Sequence, residues 1–96
     1  MSQATRVLIS RMATKQFAKL PRHIQEAVVV WASSVEEAGI ANVRKLLGYH
    51  DEPLKGNRRG QRSVRLNKAF RLFYSESFNS RIITLTVLEI NHHDYR

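Results

Sequence analysis

The sequence predicts an α+β fold: a single small domain with an N-terminal strand, a helical hairpin and an antiparallel sheet. Apolar residues recur at helical spacing in the first half of the chain, and from residue 63 apolar and polar residues alternate as in strands. Of the 96 residues, 43% are hydrophobic, which suits a globular chain with one core rather than two. We therefore expect residues 1–96 to form one domain.

The first elements predicted are a short strand and a pair of helices. The apolar run RVLIS at residues 6–10 is typical of a strand, and Thr14 is placed to cap the helix that follows. Pro21 suits the first turn of a second helix, where its missing N–H costs nothing. This helix should end at Gly39. Its apolar face is predicted to consist of Ile24, Val28, Trp31 and Val35.

The second half of the chain predicts a three-stranded meander. Apolar residues at 40–47 indicate a short helix that stops at Gly48, and residues 49–60 have the Pro and Gly content of a loop. The strands are predicted around residues 63–66, 70–75 and 81–90, with turns at 67–69 and 78–80. Helices would cover one face of this sheet, and the other face would stay partly exposed.

The charge of the chain is strongly positive and unevenly distributed. Sixteen Lys and Arg against eight Asp and Glu give a net charge of +8, a field that attracts polyanions. No acidic residue lies between Pro53 and Ser75. The basic residues of that stretch are Lys55, Arg58, Arg59, Arg62, Arg65, Lys68 and Arg71. Because guanidinium groups match phosphate oxygens, we expect a phosphate-binding surface on the exposed face of the sheet.

The chain lacks the residues or motifs that several common kinds of functional site require. There is no cysteine, no Walker phosphate-binding motif and no serine in a nucleophile elbow. The histidines and acids at 50–51 and 92–94 could be metal ligands. However, adjacent residues of a strand point to opposite faces, so adjacent histidines there would be poor ligands of one metal ion. We expect no metal and no other cofactor. We also expect a cytoplasmic protein without a membrane partner, because no apolar run suits a signal peptide or a membrane span.

A metal-independent ribonuclease needs residue types that this chain does have. In such an enzyme the 2′-hydroxyl of RNA attacks its own phosphodiester, which requires a general base, a general acid and cations for the charged phosphorane. The segment HHDY at 92–95 contains groups that transfer protons, and the basic stretch supplies cations. Composition alone leaves this open beside a plain nucleic-acid-binding surface.

Three segments of the chain resemble the RelE/ParE superfamily of bacterial type II toxins, and within it the RelE- and HigB-like mRNA interferases. They are LKGNRRGQRSVRL at 54–66, AFRLFY at 69–74 and VLEINHHDY at 87–95. Their order and spacing match that family, and the resemblance covers nearly the whole chain. It implies a RelE-like fold and a toxin that cleaves mRNA in the ribosomal A site through 2′-hydroxyl attack.

The resemblance also implies a catalytic role for particular residues. Arg65 lies where the family has a basic residue on the first strand of the meander, and Arg71 matches its phosphate-contacting arginine. The family's terminal catalytic cluster aligns with His92, His93, Asp94 and Tyr95. Within it, Tyr95 matches a tyrosine that stacks on the substrate or assists base chemistry. His93 is our first choice for the general acid or base, and His92 remains the alternative.

The resemblance implies that a basic loop touches ribosomal RNA or message. Its residues are Lys55, Arg58, Arg59 and Arg62, and Lys68 lies in the same basic stretch. The family's K-x-K strand motif reads Ser63-Val64-Arg65 here, so one cation is absent. Arg62 could compensate, but on an ideal strand it would face the other way.

The implied partners are a cognate antitoxin, the ribosome and mRNA. An acidic, partly disordered antitoxin that folds on contact would cover the basic face or displace the C-terminal residues. Two other functions fit the same chain. One is a ParE-like toxin that poisons DNA gyrase and cuts no RNA, and the other is a non-catalytic nucleic-acid-binding module. The acid–base cluster at the end of the sheet argues against the first, and a neighbouring antitoxin gene would argue against the second.

Overall fold

A computed structural model describes residues 4–92 of the chain, which form a mixed sheet with helices on one side. The helices are α1 (Arg11–Ala18), α2 (Arg22–Ala38) and α3 (Ile40–Val43). The strands are β1 (Ala4–Ile9), β2 (Glu52–Pro53), β3 (Gln61–Arg65), β4 (Phe70–Asn79) and β5 (Ile82–His92). Within residues 4–92, no helix is long and apolar enough to cross a bilayer. The predicted α+β class is confirmed.

Helix α1 is capped by Ser10 and not by Thr14, so the predicted cap was wrong. Ser10 ends β1 in an extended conformation, and its Oγ accepts the Ala13 N–H at 3.0 Å. The same hydroxyl donates to the Leu88 carbonyl at 3.0 Å, which ties the helix start to β5. Thr14 lies inside the first turn, where its hydroxyl donates to the Ser10 carbonyl at 2.8 Å.

Helix α2 has the bounds and the buried face that the sequence predicts. Pro21 occupies the position before the first helical residue, and Gly39 follows the last one with φ +86°, a conformation that favours glycine. The residues of the predicted stripe are all buried: Ile24, Val28, Trp31 and Val35. The Trp31 ring packs on that of Tyr74 from β4, with centroids 5.3 Å apart, and this contact centres the core between helix and sheet.

The segment after α2 departs from prediction in two places. Helix α3 ends at Val43, and Leu46 and Leu47 are 54% and 88% exposed, so the expected helix up to Gly48 was wrong. The chain leaves the helical course at Leu46, which is extended, and a 3-10 turn follows at Leu47–Tyr49. Within the expected loop, β2 pairs with residues 62–63 of β3. A proline is tolerated there because β2 is an edge strand.

The sheet has the order β1-β5-β4-β3-β2. The meander β3–β4–β5 is antiparallel as predicted, whereas β1 runs parallel to β5 along its outer side. A β-bulge shifts the β4–β5 register, so that Phe73 pairs with Glu89 but Tyr74 pairs with Val87. Beyond Ile9, helix α1 replaces β1 along β5, and Gln16 Oε1 accepts the Ile90 N–H at 2.7 Å.

Candidate nucleic-acid interface

Strand alternation sorts the side chains of the meander onto two faces. Val64, Leu72 and Ile90 point toward the helices and are buried in the core. We call the opposite side of the sheet the open face. The register places on it Gln61, Ser63, Arg65, Arg71, Phe73, Glu89 and Asn91. Of the predicted phosphate-binding arginines, Arg65 on β3 and Arg71 on β4 therefore share one surface, on the side away from the helices.

Arg65 and Arg71 are directly opposite each other in the β3–β4 ladder. Like charges in such a pair repel, and an anion bound between them would relieve the repulsion. Arg71 Nη1 donates to the hydroxyl of Ser63 at 2.7 Å, and Ser63 itself is only 2% exposed. The hydroxyl thus orients one end of the Arg71 guanidinium, and the remaining N–H groups can bind phosphate oxygens.

Arg58 reaches the open face from the loop before β3. Its guanidinium carbon lies 4.3 Å from the centroid of the Phe73 ring, and its Nε donates to Gln61 Oε1 at 3.0 Å. Its Nη2 donates to Glu89 Oε1 at 2.7 Å. Sequence reasoning missed Glu89, although the segment VLEINHHDY was noted. A signal for it exists in the sequence: Glu89 is the acidic residue of a predicted strand, in a sheet whose other strands contain several arginines.

Arg62 lies on the other side of the sheet and belongs to a buried polar network. Its Nε donates to Asp51 Oδ1 at 2.6 Å, and the Tyr74 hydroxyl donates to Asp51 Oδ2 at 2.7 Å. The Asp51 side chain is 1% exposed. Arg44 completes the network, with its Nη2 3.0 Å from both the Tyr74 hydroxyl and Glu76. This placement gives Arg62 a structural role, so it does not stand in for the cation absent at Ser63.

The other predicted RNA contacts are exposed. Lys55 and Arg59 lie in the loop between β2 and β3, and Lys68 is at the tip of the β3–β4 hairpin. Asn67 holds that tip, because its Oδ1 accepts the N–H groups of Ala69 and Phe70 at 2.7 and 2.8 Å. Among residues 4–92, no group of three or more acids and histidines could hold a metal ion.

His92 does not join the arginines. It pairs with Phe70, and their rings meet edge-on with centroids 5.1 Å apart. Alternation puts this pair on the side of Leu72 and Ile90, away from Arg65 and Arg71. His93, Asp94 and Tyr95 lie outside the described residues. The structure therefore brings together the two arginines of the predicted catalytic set but separates them from His92.

Solved structures share this architecture. No protein-family model and no curated protein matches the sequence. A chain of the YoeB–YefM complex from Staphylococcus aureus is similar with a TM-score of 0.69 and 19% identity, covering 94% of this chain and 98% of that one. A chain of the archaeal RelE–RelB complex from Pyrococcus horikoshii gives 0.68 and 19%, with coverage of 93% and 94%. A chain of the toxin–antitoxin complex RelBE2 from Mycobacterium tuberculosis gives 0.66 and 22%, with coverage of 97% and 100%.

The chain has a RelE-like fold. The fold predicted from the resemblance is thereby confirmed. Within this RelE-like sheet, the residues placed on the open face come from all three segments that carried the resemblance, LKGNRRGQRSVRL, AFRLFY and VLEINHHDY. Arg62 and Tyr74 come from the same segments but serve the buried network.

Tyr74 makes the stability of the RelE-like fold sensitive to high pH. Burial, together with its hydrogen bond to Asp51, raises the pKa of Tyr74 above its ordinary value of 10 against the opposing effect of Arg44. A group whose pKa is higher in the folded than in the unfolded state contributes its full stabilisation of the fold below the unfolded pKa. That contribution is lost as the pH rises further. We expect the free energy of unfolding to fall above about pH 10. In urea titrations Tyr74→Phe should be less stable at pH 7 but lose less between pH 9 and 11; equal losses would contradict this.

Proposed function

We propose that the chain is the toxin of a type II toxin–antitoxin system, a ribosome-dependent endoribonuclease that cuts mRNA by metal-independent 2′-hydroxyl attack. The observation that carries the proposal is the pair Arg65 and Arg71, side by side on the open face of a RelE-like sheet. Their charges have no carboxylate partner among residues 4–92. Such a pair can stabilise the extra negative charge that a phosphodiester gains when it is attacked.

The proposed reaction divides its tasks between the arginines and the end of the chain. Arg71, oriented by Ser63, would bind the scissile phosphate, and Arg65 would balance the charge of the phosphorane. Proton transfer to and from the sugar and leaving oxygens needs groups that titrate near neutral pH. The resemblance assigns proton transfer to the terminal cluster of His92, His93, Asp94 and Tyr95, in which His93 is the first choice for the general acid or base. No metal or other cofactor takes part in the proposed reaction.

The proposed partners follow from the same surface. Lys55, Arg59 and Lys68 are exposed around the open face and would contact ribosomal RNA or message. Structures similar to this chain are described as toxin–antitoxin complexes. By analogy, a cognate antitoxin would silence this chain, and the net charge of +8 favours an acidic one. The proposed site of action is the cytoplasm, where ribosomes and message are found.

Mapping mRNA 5′ ends in cells that express the chain tests the proposal. New ends within coding regions should appear while translation is active and disappear when initiation is blocked. DNA damage without new mRNA ends would instead favour a gyrase-poisoning toxin. Normal growth with neither new mRNA ends nor DNA damage would favour a non-catalytic nucleic-acid-binding module. If a small gene lies next to the gene of this chain and encodes the antitoxin, co-expression of its product should abolish the new ends.

The two histidines should differ in importance. Because His92 packs on Phe70 on the helix side, we expect His92→Ala to keep cleavage within about threefold of wild type, the effect of a non-catalytic surface change. His93→Ala should reduce cleavage about 10²- to 10⁴-fold, the loss of a general acid or base. Primer-extension assays on programmed ribosomes measure both rates. A large loss in His92→Ala with full activity in His93→Ala would reverse the assignment.

A further inference from the structure

The guanidinium of Arg58 is already engaged within the protein. Its hydrogen bond to Glu89 is 2.7 Å long, and the two side chains are 38% and 25% exposed. The guanidinium also makes a cation–π contact with Phe73, in which its central carbon lies 4.3 Å from the ring centroid. The group is therefore reachable from solvent, but its charge is largely neutralised by Glu89.

Glu89 is held in position by the sheet. The register pairs Phe73 with Glu89. On the same face of the sheet, the next pair along the two strands is Arg71 with Asn91. Asn91 Nδ2 donates to the second carboxylate oxygen of Glu89, so both oxygens have protein partners. A carboxylate and a phosphate present similar paired oxygens to a guanidinium. Arg58 thus holds the Glu89 carboxylate in the way that it could hold a backbone phosphate of RNA.

We infer that Glu89 is an internal competitor for RNA, and that RNA binds this part of the open face by exchange. In the exchange, an RNA phosphate takes the Arg58 guanidinium from Glu89. The RNA as ligand rests on the proposed function; the competition rests on the geometry of Arg58 and Glu89. Glu89 is a positioning residue: it keeps Arg58 over Phe73, on the face of the sheet that carries Arg71. Its carboxylate also repels the entering phosphate, so it lowers the affinity for RNA.

The exchange predicts that Glu89→Gln binds RNA more tightly than wild type. We expect a gain of about two- to fivefold, the usual worth of a partly exposed ion pair. The probe is a short fluorescent single-stranded RNA, methylated at its 2′-hydroxyls so that it cannot be cut. The matched control is Glu76→Gln, which removes the same charge from a carboxylate that is 3.0 Å from Arg44 on the helix side. This control should leave the affinity unchanged.

A double-mutant cycle separates exchange from a general change of charge. Glu89→Gln should raise the affinity in the presence of Arg58 and have no effect in an Arg58→Gln background. An equal gain in both backgrounds, or no gain with Arg58 present, overturns the inference. A measurement without variants is the side-chain Nε–H resonance of Arg58 during an RNA titration of wild type. Exchange requires that it shift, and an unchanged resonance in the RNA-bound protein overturns it.

Cleavage is scored separately from exchange. A wild-type protein that shows the exchange but leaves every mRNA intact contradicts the proposed function alone. Ribosome-dependent cleavage by a protein whose Arg58 resonance does not respond to RNA contradicts the exchange alone.

Discussion

Replacing Arg71 with alanine is expected to slow mRNA cleavage about 10²- to 10³-fold, the loss typical of one preorganised donor to a charged transition state. The phosphorane carries more negative charge than the phosphodiester, so Arg71 should stabilise it more than the bound substrate. Affinity for a non-cleavable message on ribosomes should therefore fall much less, by about fivefold, as for one partly exposed ionic contact. Single-turnover cleavage and equilibrium binding give the two quantities.

The control for Arg71→Ala is Arg22→Ala. Arg22 lies on α2 with a side chain 91% exposed, so its substitution removes the same charge far from the open face. Both its binding and its cleavage should stay close to those of wild type. If Arg71→Ala lowers binding and cleavage equally, Arg71 is an anchor for the RNA backbone and the charge of the transition state is balanced elsewhere.

Asp51→Ala is expected to destabilise the fold by about 3–5 kcal/mol, because it removes a buried carboxylate and leaves the partly buried Arg62 and the buried Tyr74 hydroxyl without their acceptor. The carboxylate accepts hydrogen bonds from Arg62 at 2.6 Å and from Tyr74 at 2.7 Å. Alanine satisfies neither donor, and only Arg62 retains some access to water, with 22% of its side chain exposed. The melting temperature should fall by at least about 12 °C for a domain of this size.

The matched control for Asp51→Ala is the neighbouring Glu52→Ala. Glu52 is exposed on the edge strand β2, so losing its charge should change stability by no more than about 0.5 kcal/mol. Asp51→Asn should fall between the two, since an amide oxygen can still accept one hydrogen bond. Thermal unfolding followed by circular dichroism measures all three. A melting temperature of Asp51→Ala within a few degrees of Glu52→Ala would show that the network contributes little.

Elements with local signals could be predicted from the amino-acid sequence alone. The apolar stripe of α2 and its end at Gly39 follow from helical spacing and from a glycine conformation, and both are observed. The alternation from Val64 onward determined the meander, and with it the face on which Arg65 and Arg71 lie. These features depend on neighbours a few residues away, so a short stretch of chain carries all the information they need.

The pairing of polar groups could not be predicted in this way, because it depends on contacts between distant parts of the chain. Asp51 is buried against Arg62, which is 11 residues away, and Arg58 is bound to Glu89, 31 residues away. The Ser10 hydroxyl caps α1 and also reaches the Leu88 carbonyl on β5, which Thr14 could not do from inside the helix. Such choices are made by partners that meet only in the folded chain, where a buried charge must find its counter-charge and no local pattern records which one it finds.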